Sequence, residues 1–184
     1  MTIIGITGTI GAGKGEIVSY LETRGFEHFS VRTYLTRELE KRGMPVNRPT
    51  MTDLADELRR KHRPGYIVEE LYRQAAATGK DSVIESVRNI GEVDYLKHQK
   101  NFVLIAVESD IKIRYDRIVR RNSALDHVTF EQFERDNARE MASTDEAKGN
   151  IAECIRRSDF RVENDGTIPE LRVKIDKILK MIRG

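Results

Sequence analysis

Short apolar runs alternate along the chain with longer stretches in which apolar positions recur every three or four residues. That rhythm predicts strands separated by amphipathic helices. Strands are predicted at residues 2–7 (TIIGIT), 26–30, 82–86 (SVIES) and 102–107 (FVLIAV), with a weaker one at 160–163. Helices are predicted over 14–24, 31–41, 51–61, 64–77, 90–99, 110–121, 129–141, 150–156 and 168–182. In the first of these Ile17, Val18 and Leu21 share one side, and Gly25 ends the run. Arg42-Gly43-Met44-Pro45 and Arg63-Pro64-Gly65 break the helical stretch between the second and third strands, and Pro169 falls in a first turn, where its missing N–H is tolerated. Strands joined through helices imply right-handed crossovers and a parallel sheet covered on both faces. The expected class is therefore α/β with three layers and a five-stranded parallel sheet, one domain over 1–184. Residues 31–78 form its one all-helical excursion, a small flap.

Composition narrows the partners. Of 184 residues, 39% are apolar and 34% charged, which is enough to close one core. Lys and Arg number 32 against 30 Asp and Glu, and a net charge of +2 gives no global attraction for a polynucleotide or an anionic membrane. Cys154 is the single cysteine, so an intramolecular disulfide framework and a Cys-based zinc cluster are excluded. Residues 1–6 lack the basic lead and apolar length of a secretion signal, and the longest apolar run, 102–107, is far too short to span a bilayer. The expectation is a cytoplasmic protein, monomer or homodimer, acting on small molecules.

The segment Gly8-Thr9-Ile10-Gly11-Ala12-Gly13-Lys14-Gly15 matches G-x-x-x-x-G-K between a predicted strand and a predicted helix. Glycines let the backbone wrap round phosphate oxygens and present N–H groups, and the helix adds its positive end. Lys14 is placed to reach the β- and γ-phosphates of a triphosphate. At the eighth position most such loops carry Ser or Thr for Mg²⁺; here it is Gly15, followed by Glu16.

Phosphoryl transfer also needs cations where charge spreads in the transition state. In 110–121, Ile111, Tyr115, Ile118 and Val119 share one helical side, Arg114, Arg117 and Arg121 lie along an adjoining flank, and Arg120 lies further round. In 129–141, Phe130, Phe133 and Met141 share an apolar side, with Arg135 and Arg139 opposite. Arginines on two helices joined by the short polar stretch 122–128 describe a lid over 114–141 that closes on phosphates. The competing reading is a solvated face paired with Asp116, Glu131, Glu134 and Glu140.

Gly-Ala-Gly-Lys-Gly at 11–15 resembles the loops of adenylate kinases, and Asp-Arg-Ile-Val-Arg-Arg at 116–121 resembles their lid entrance, DRIVGRR. Over most of its length the chain is similar to P-loop nucleoside monophosphate kinases of the adenylate kinase and dephospho-coenzyme A kinase branch. The resemblance implies a P-loop NTPase fold, with ATP as donor and Mg²⁺ keeping more of its water ligands. It implies cofactor contacts along residues 8–16, Arg117 beside the nucleobase, Arg121 (or Arg120) on phosphates, and Arg135 bridging donor and acceptor, with Arg139 on the substrate side. Glu85 and Arg88, in SVIESVRN, resemble the strand-end D-G-x-P-R of these kinases. That implies Glu85 holding Mg²⁺ through water and Arg88 gripping the acceptor phosphate. Arg37 resembles their flap arginine, with Ser30, Arg32 and Tyr34 near it; Tyr34 or Tyr66 is either a base-stacking ring or a buried aromatic. Asn164-Asp165-Gly166 is similar to the turn that lies against the donor adenine. The basic run Arg59, Arg60, Lys61, His62, Arg63 reads as a solvated helix end.

A phosphate acceptor needs no general base, whereas a hydroxyl acceptor generally does. Dephospho-coenzyme A kinases carry an Asp just after the second strand; Phe29-Ser30-Val31-Arg32-Thr33 has no acid there. The expected activity is transfer of the ATP γ-phosphate to a ribo- or deoxyribonucleoside monophosphate. Glu85 as a base keeps a hydroxyl acceptor open. Gly15 and Glu85 also motivate a nucleotide-binding regulatory module with weak catalysis.

Overall fold

The computed structural model describes residues 1–121, 128–141, 145 and 148–184. Most of the polar connection expected at 122–128 lies outside the described residues. Five strands, β1 (Ile3–Gly8), β2 (Glu27–Ser30), β3 (Ser82–Glu85), β4 (Phe102–Glu108) and β5 (Phe160–Glu163), form one sheet in the order β2-β3-β1-β4-β5, all parallel. The helices are α1 (Lys14–Thr23), α2 (Val31–Lys41), α3 (Arg48–Lys61), α4 (Tyr66–Thr78), α5 (Ile90–Lys97), α6 (Ile111–Arg121), α7 (Phe130–Met141), α8 (Ile151–Arg156) and α9 (Ile168–Arg183). The three-layer α/β expectation is met.

All six positions of β1 are buried, as a central parallel strand requires. Its side chains alternate between two cores. Ile3, with Ile84 and Leu104, packs under α2, α3, α4 and α5. Ile4 and Ile6, with Val83, Ile105 and Val107, pack under α1 and α9. Each fully buried isoleucine contributes roughly 1.5–3 kcal/mol, so β1 anchors the molecule from its centre.

Helix starts follow local chemistry. Asn47 accepts from the Thr50 N–H at 3.0 Å while the Thr50 hydroxyl accepts from the Asn47 N–H at 3.2 Å, with Pro49 in the first turn. This capping box starts α3 three residues before the apolar rhythm does. Asn89 with Glu92, and Thr167 with Glu170, open α5 and α9 in the same way. Register then aligns the carboxyl ends of the strands: Ser30 stands opposite Glu85, and Ile6 opposite both Glu85 and Ile105. The turns after β1, β3 and β4 therefore open on one edge, where parallel sheets bind ligands. Among the described residues no helix is long and apolar enough to cross a membrane.

Candidate active site

Beyond β1 the chain turns through residues 9–13 into α1. Gly11 has φ +79° and Gly13 φ +99°, a region L side chains rarely adopt. Space forbids side chains there as well. A Cβ on Gly11 would press to 2.7 Å from the Arg114 carbonyl oxygen, and one on Gly13 would run into Asn164 Nδ2. Those neighbours are struts. Asn164 Nδ2 donates to the Ala12 carbonyl at 2.8 Å, and its own N–H donates to the Glu108 carbonyl at 2.8 Å. Arg114 Nη1 donates to the Ile10 carbonyl at 3.2 Å and to Asn137 Oδ1 at 2.9 Å, and Nε donates to the Ser109 carbonyl at 2.9 Å. Its guanidinium lies 5.5 Å from the Phe133 ring centre. The loop is thus shaped from behind by α6, α7 and the β5–α9 turn.

Lys14 is buried, and its Nζ donates to the Gly8 and Thr9 carbonyls, both at 2.8 Å. Burial, then the nearby Arg88 cation, pulls its pKa down to about 7, against the opposing pull of Glu85 and Glu140. Desolvation is what disfavours the charged form of Lys14, so an anion brought against its Nζ would favour that form.

Glu85 stands at the end of β3. His28 Nε2 lies 3.2 Å from Glu85 Oε2, and Glu22 is 3.9 Å from the other ring nitrogen. The hydrogen bond from His28 holds the Glu85 carboxyl below the usual carboxylate range despite burial, and the same bond raises His28. Ser86 follows with φ +72°, the one positive-φ non-glycine residue among those described, and turns the chain sharply toward Arg88. Arg88 Nη1 lies 3.5 Å from Glu140 Oε2 on α7. The charges of Glu85, Arg88 and Glu140 all act on Lys14, so the four groups lie near one another at the carboxyl edge of the sheet.

The loop amides and Lys14 fit a triphosphate. For Mg²⁺ the donor set is thin. Gly15 has no hydroxyl, and open space stands where its Cβ would be. No three His, Cys, Asp or Glu side chains gather as a metal cage among the described residues. An ionised Glu85 beside a phosphate chain fits a Mg²⁺ ion that keeps several waters.

The remaining expected residues divide. Arg117 Nη1 lies 3.2 Å from Ser109 Oγ, which donates to Asp165 Oδ1 at 2.7 Å; this brings Arg117 beside the 164–166 turn. Ser30 Oγ accepts from the Thr33 N–H at 3.3 Å and caps α2. Tyr34 is half-buried against the core, and burial and the Tyr66 hydroxyl raise its pKa; Tyr66 itself stacks on His62 at 4.0 Å. Arg32 and Arg37 are exposed on α2, and Glu16, Arg120 and Arg121 are exposed too. Arg135 is exposed and bonds Gln132, and Arg139 is exposed beside Asp136. On α7 it is Phe133, Asn137 and Glu140, not these two arginines, that meet the rest of the site.

Two readings of charge need correcting. Arg114 is no free flank cation but a buried strut. In the 59–63 run the exception is Arg59, buried on Glu92; residues 60–63 are exposed as expected, with Arg60 paired to Asp145 and Arg63 to Glu69. His28, Asn137 and Glu140 join the site unforeseen. Their signals are faint: His28 precedes Ser30 by two on the same strand face, and Asn137 and Glu140 follow Phe133 by four and seven.

A family profile described as "AAA domain" matches residues 4–142. A UPF0200 protein of Methanococcus vannielii is 30% identical over 186 residues, covering 99% of this chain and 97% of that one. Among solved structures, a shikimate kinase from Acinetobacter baumannii superposes with a TM-score of 0.64 at 20% identity, over 98% of this chain and 94% of that one. A dephospho-CoA kinase from Campylobacter jejuni gives 0.56 at 12% identity, over 100% and 98%. These structural likenesses establish the fold. Matched along nearly its whole length and carrying the loop on that fold, the chain belongs to the UPF0200 family of AAA-domain, P-loop kinase-like proteins.

Proposed function

We propose that the protein transfers the γ-phosphoryl group of ATP to a nucleoside monophosphate, ribo- or deoxyribo-. The observation that carries this reading is the buried Lys14, held on the loop carbonyls and close enough to Arg88 and Glu85 to feel their charge. One cation suits the donor phosphates and the other an acceptor phosphate, with the space between them for in-line transfer.

Loop amides 9–15 and Lys14 bind the β- and γ-phosphates, and Lys14 leaves the Gly8 and Thr9 carbonyls to do so. Arg117 and the Asn164–Gly166 turn flank the donor base. Arg88 leaves Glu140 for the acceptor phosphate, and Arg32 and Arg37 on α2 approach it when the insert closes. Arg121, Arg135 and Arg139 reach the phosphates only in a closed lid. Mg²⁺, when bound, neutralises charge on the β- and γ-oxygens; Glu85 holds it through water. Closure excludes water from the transferring group.

Glu85, kept ionised by His28, is a weak proton acceptor, and this supports a phosphate acceptor over a hydroxyl. Glu140, a second carboxylate at the same edge, is what favours the hydroxyl reading. The test is an ADP-release assay with ATP, Mg²⁺ and a panel of nucleoside monophosphates plus dephospho-coenzyme A. Turnover with a monophosphate supports the proposal. Turnover with dephospho-coenzyme A alone replaces it, and tight ATP binding without turnover on any acceptor points to a regulatory module.

A further inference from the structure

We propose that Arg59 is a positioning residue: through Glu92 it fixes the backbone that projects Arg88, and so ties the helical insert to the reacting edge. This rests on the reading of Arg88 as the acceptor-phosphate arginine. Arg59, on α3, is only 7% exposed, and Glu92, on α5, is not exposed at all. Arg59 Nη2 donates to Glu92 Oε1 at 2.8 Å and Nε to the same oxygen at 3.3 Å. The other carboxylate oxygen, Oε2, accepts from the Arg88 N–H at 2.8 Å and the Asn89 N–H at 3.1 Å. One carboxylate therefore faces the insert with one oxygen and the loop after β3 with the other. The far side of that loop is clamped as well: the Asn150 N–H donates to the Arg88 carbonyl at 2.8 Å, and Asn89 Nδ2 donates to the Lys148 carbonyl at 2.8 Å.

A capping box on α5 needs only Oε2. It does not need an arginine brought from 33 residues away into the core. Burying two charges gains little stability over apolar side chains of similar size, so stability alone is a poor account of the pair. Positioning is a better one. Without Arg59, Glu92 keeps a buried, unpaired oxygen and turns to satisfy it, and the Arg88 N–H loses its acceptor. With Arg59 in place, the carboxylate is locked, and any movement of α3 on acceptor binding is passed to Arg88.

The test compares Arg59→Met and Arg59→Lys in the natural chain and in an Arg88→Ala background. It measures acceptor KM and kcat with the monophosphate turned over, ATP affinity by calorimetry, and amide hydrogen exchange. We expect Arg59→Met to raise acceptor KM about tenfold, leave ATP affinity within about twofold, and add nothing further once Arg88 is alanine. Exchange at the 88 and 89 amides should quicken while the amides of 11–15 keep their protection, and Arg59→Lys should recover part of both effects. An unchanged KM, an equal KM increase in both backgrounds, or unchanged exchange at 88 and 89 overturns the proposal. Should Arg59→Met fail to fold, Arg59→Lys carries the same comparison. If no acceptor is turned over at all, the functional reading fails, and hydrogen exchange still decides whether Arg59 fixes the Arg88 backbone.

Discussion

Lys14 concentrates the account at the scale of one residue. Its ammonium is buried, donates to the Gly8 and Thr9 carbonyls of its own loop, and has its pKa lowered to about 7 by that burial. A bound triphosphate favours the charged form and pushes that pKa back toward its ordinary value of 10.5. Between those limits the complex holds a proton that the free protein lacks. ATP binding therefore takes up protons, and affinity falls as pH rises above about 7. Calorimetry at pH 8.5 in buffers of different ionisation enthalpy, well above the phosphate's own ionisation near 6, should show uptake. Release, or no dependence on buffer, would contradict this view of Lys14. Gly15 offers a second check. Open space surrounds its missing Cβ, so Gly15→Ser should fold with stability unchanged or raised by up to about 0.5 kcal/mol. If Mg²⁺ sits beside this position, the added hydroxyl lowers the Mg²⁺ concentration needed for half-maximal activity; a higher requirement would argue against that placement.

Among elements, the loop depends on what braces it. Arg114 joins α6 to residue 10 and to α7, and Asn164 joins the β5–α9 turn to residue 12. Arg114→Ala removes charge-assisted hydrogen bonds from a buried site and should cost about 3 kcal/mol of unfolding free energy. Asn164→Ala should cost about 1–2 kcal/mol. Both should weaken ATP binding, because the loop loses its preset shape. Urea unfolding and ATP titration check this; full stability in Arg114→Ala would mean the strut bears nothing. The same elements show where sequence reading reaches and stops. Strands and helices were legible because apolar rhythm is set locally. The early start of α3 was written in Asn47, Pro49 and Thr50 rather than in the rhythm. The buried states of Arg59 and Arg114 were not legible. Both lie on helices rich in arginine, and what buries them, Glu92 and the Ile10 carbonyl, lies 33 and 104 residues away.

For the whole molecule, a central β1 flanked by β3 and β4 brings three turns to one edge, so donor and acceptor groups meet there although they come from distant segments. The loop motif was legible because its glycines and lysine are consecutive. The facing side chains, His28, Asn137 and Glu140, come together only through sheet order and the docking of α7. A ligand that binds the folded chain alone stabilises the whole domain, by about 2.7 kcal/mol at one hundred times its Kd. The melting temperature should therefore rise with ATP and Mg²⁺ and not with adenosine, since the phosphates supply the charge that Lys14 lacks. An equal rise with adenosine would place recognition on the base instead. The most direct test of the central claim is calorimetric titration of ATP and Mg²⁺ into the natural chain and into Lys14→Ala, with circular dichroism confirming both are folded. The expected result is one ATP per chain and an affinity at least about tenfold weaker in the variant, the loss of a charge-assisted contact to phosphate. Equal affinity in the two proteins, or no ATP bound by the folded natural chain, would contradict it.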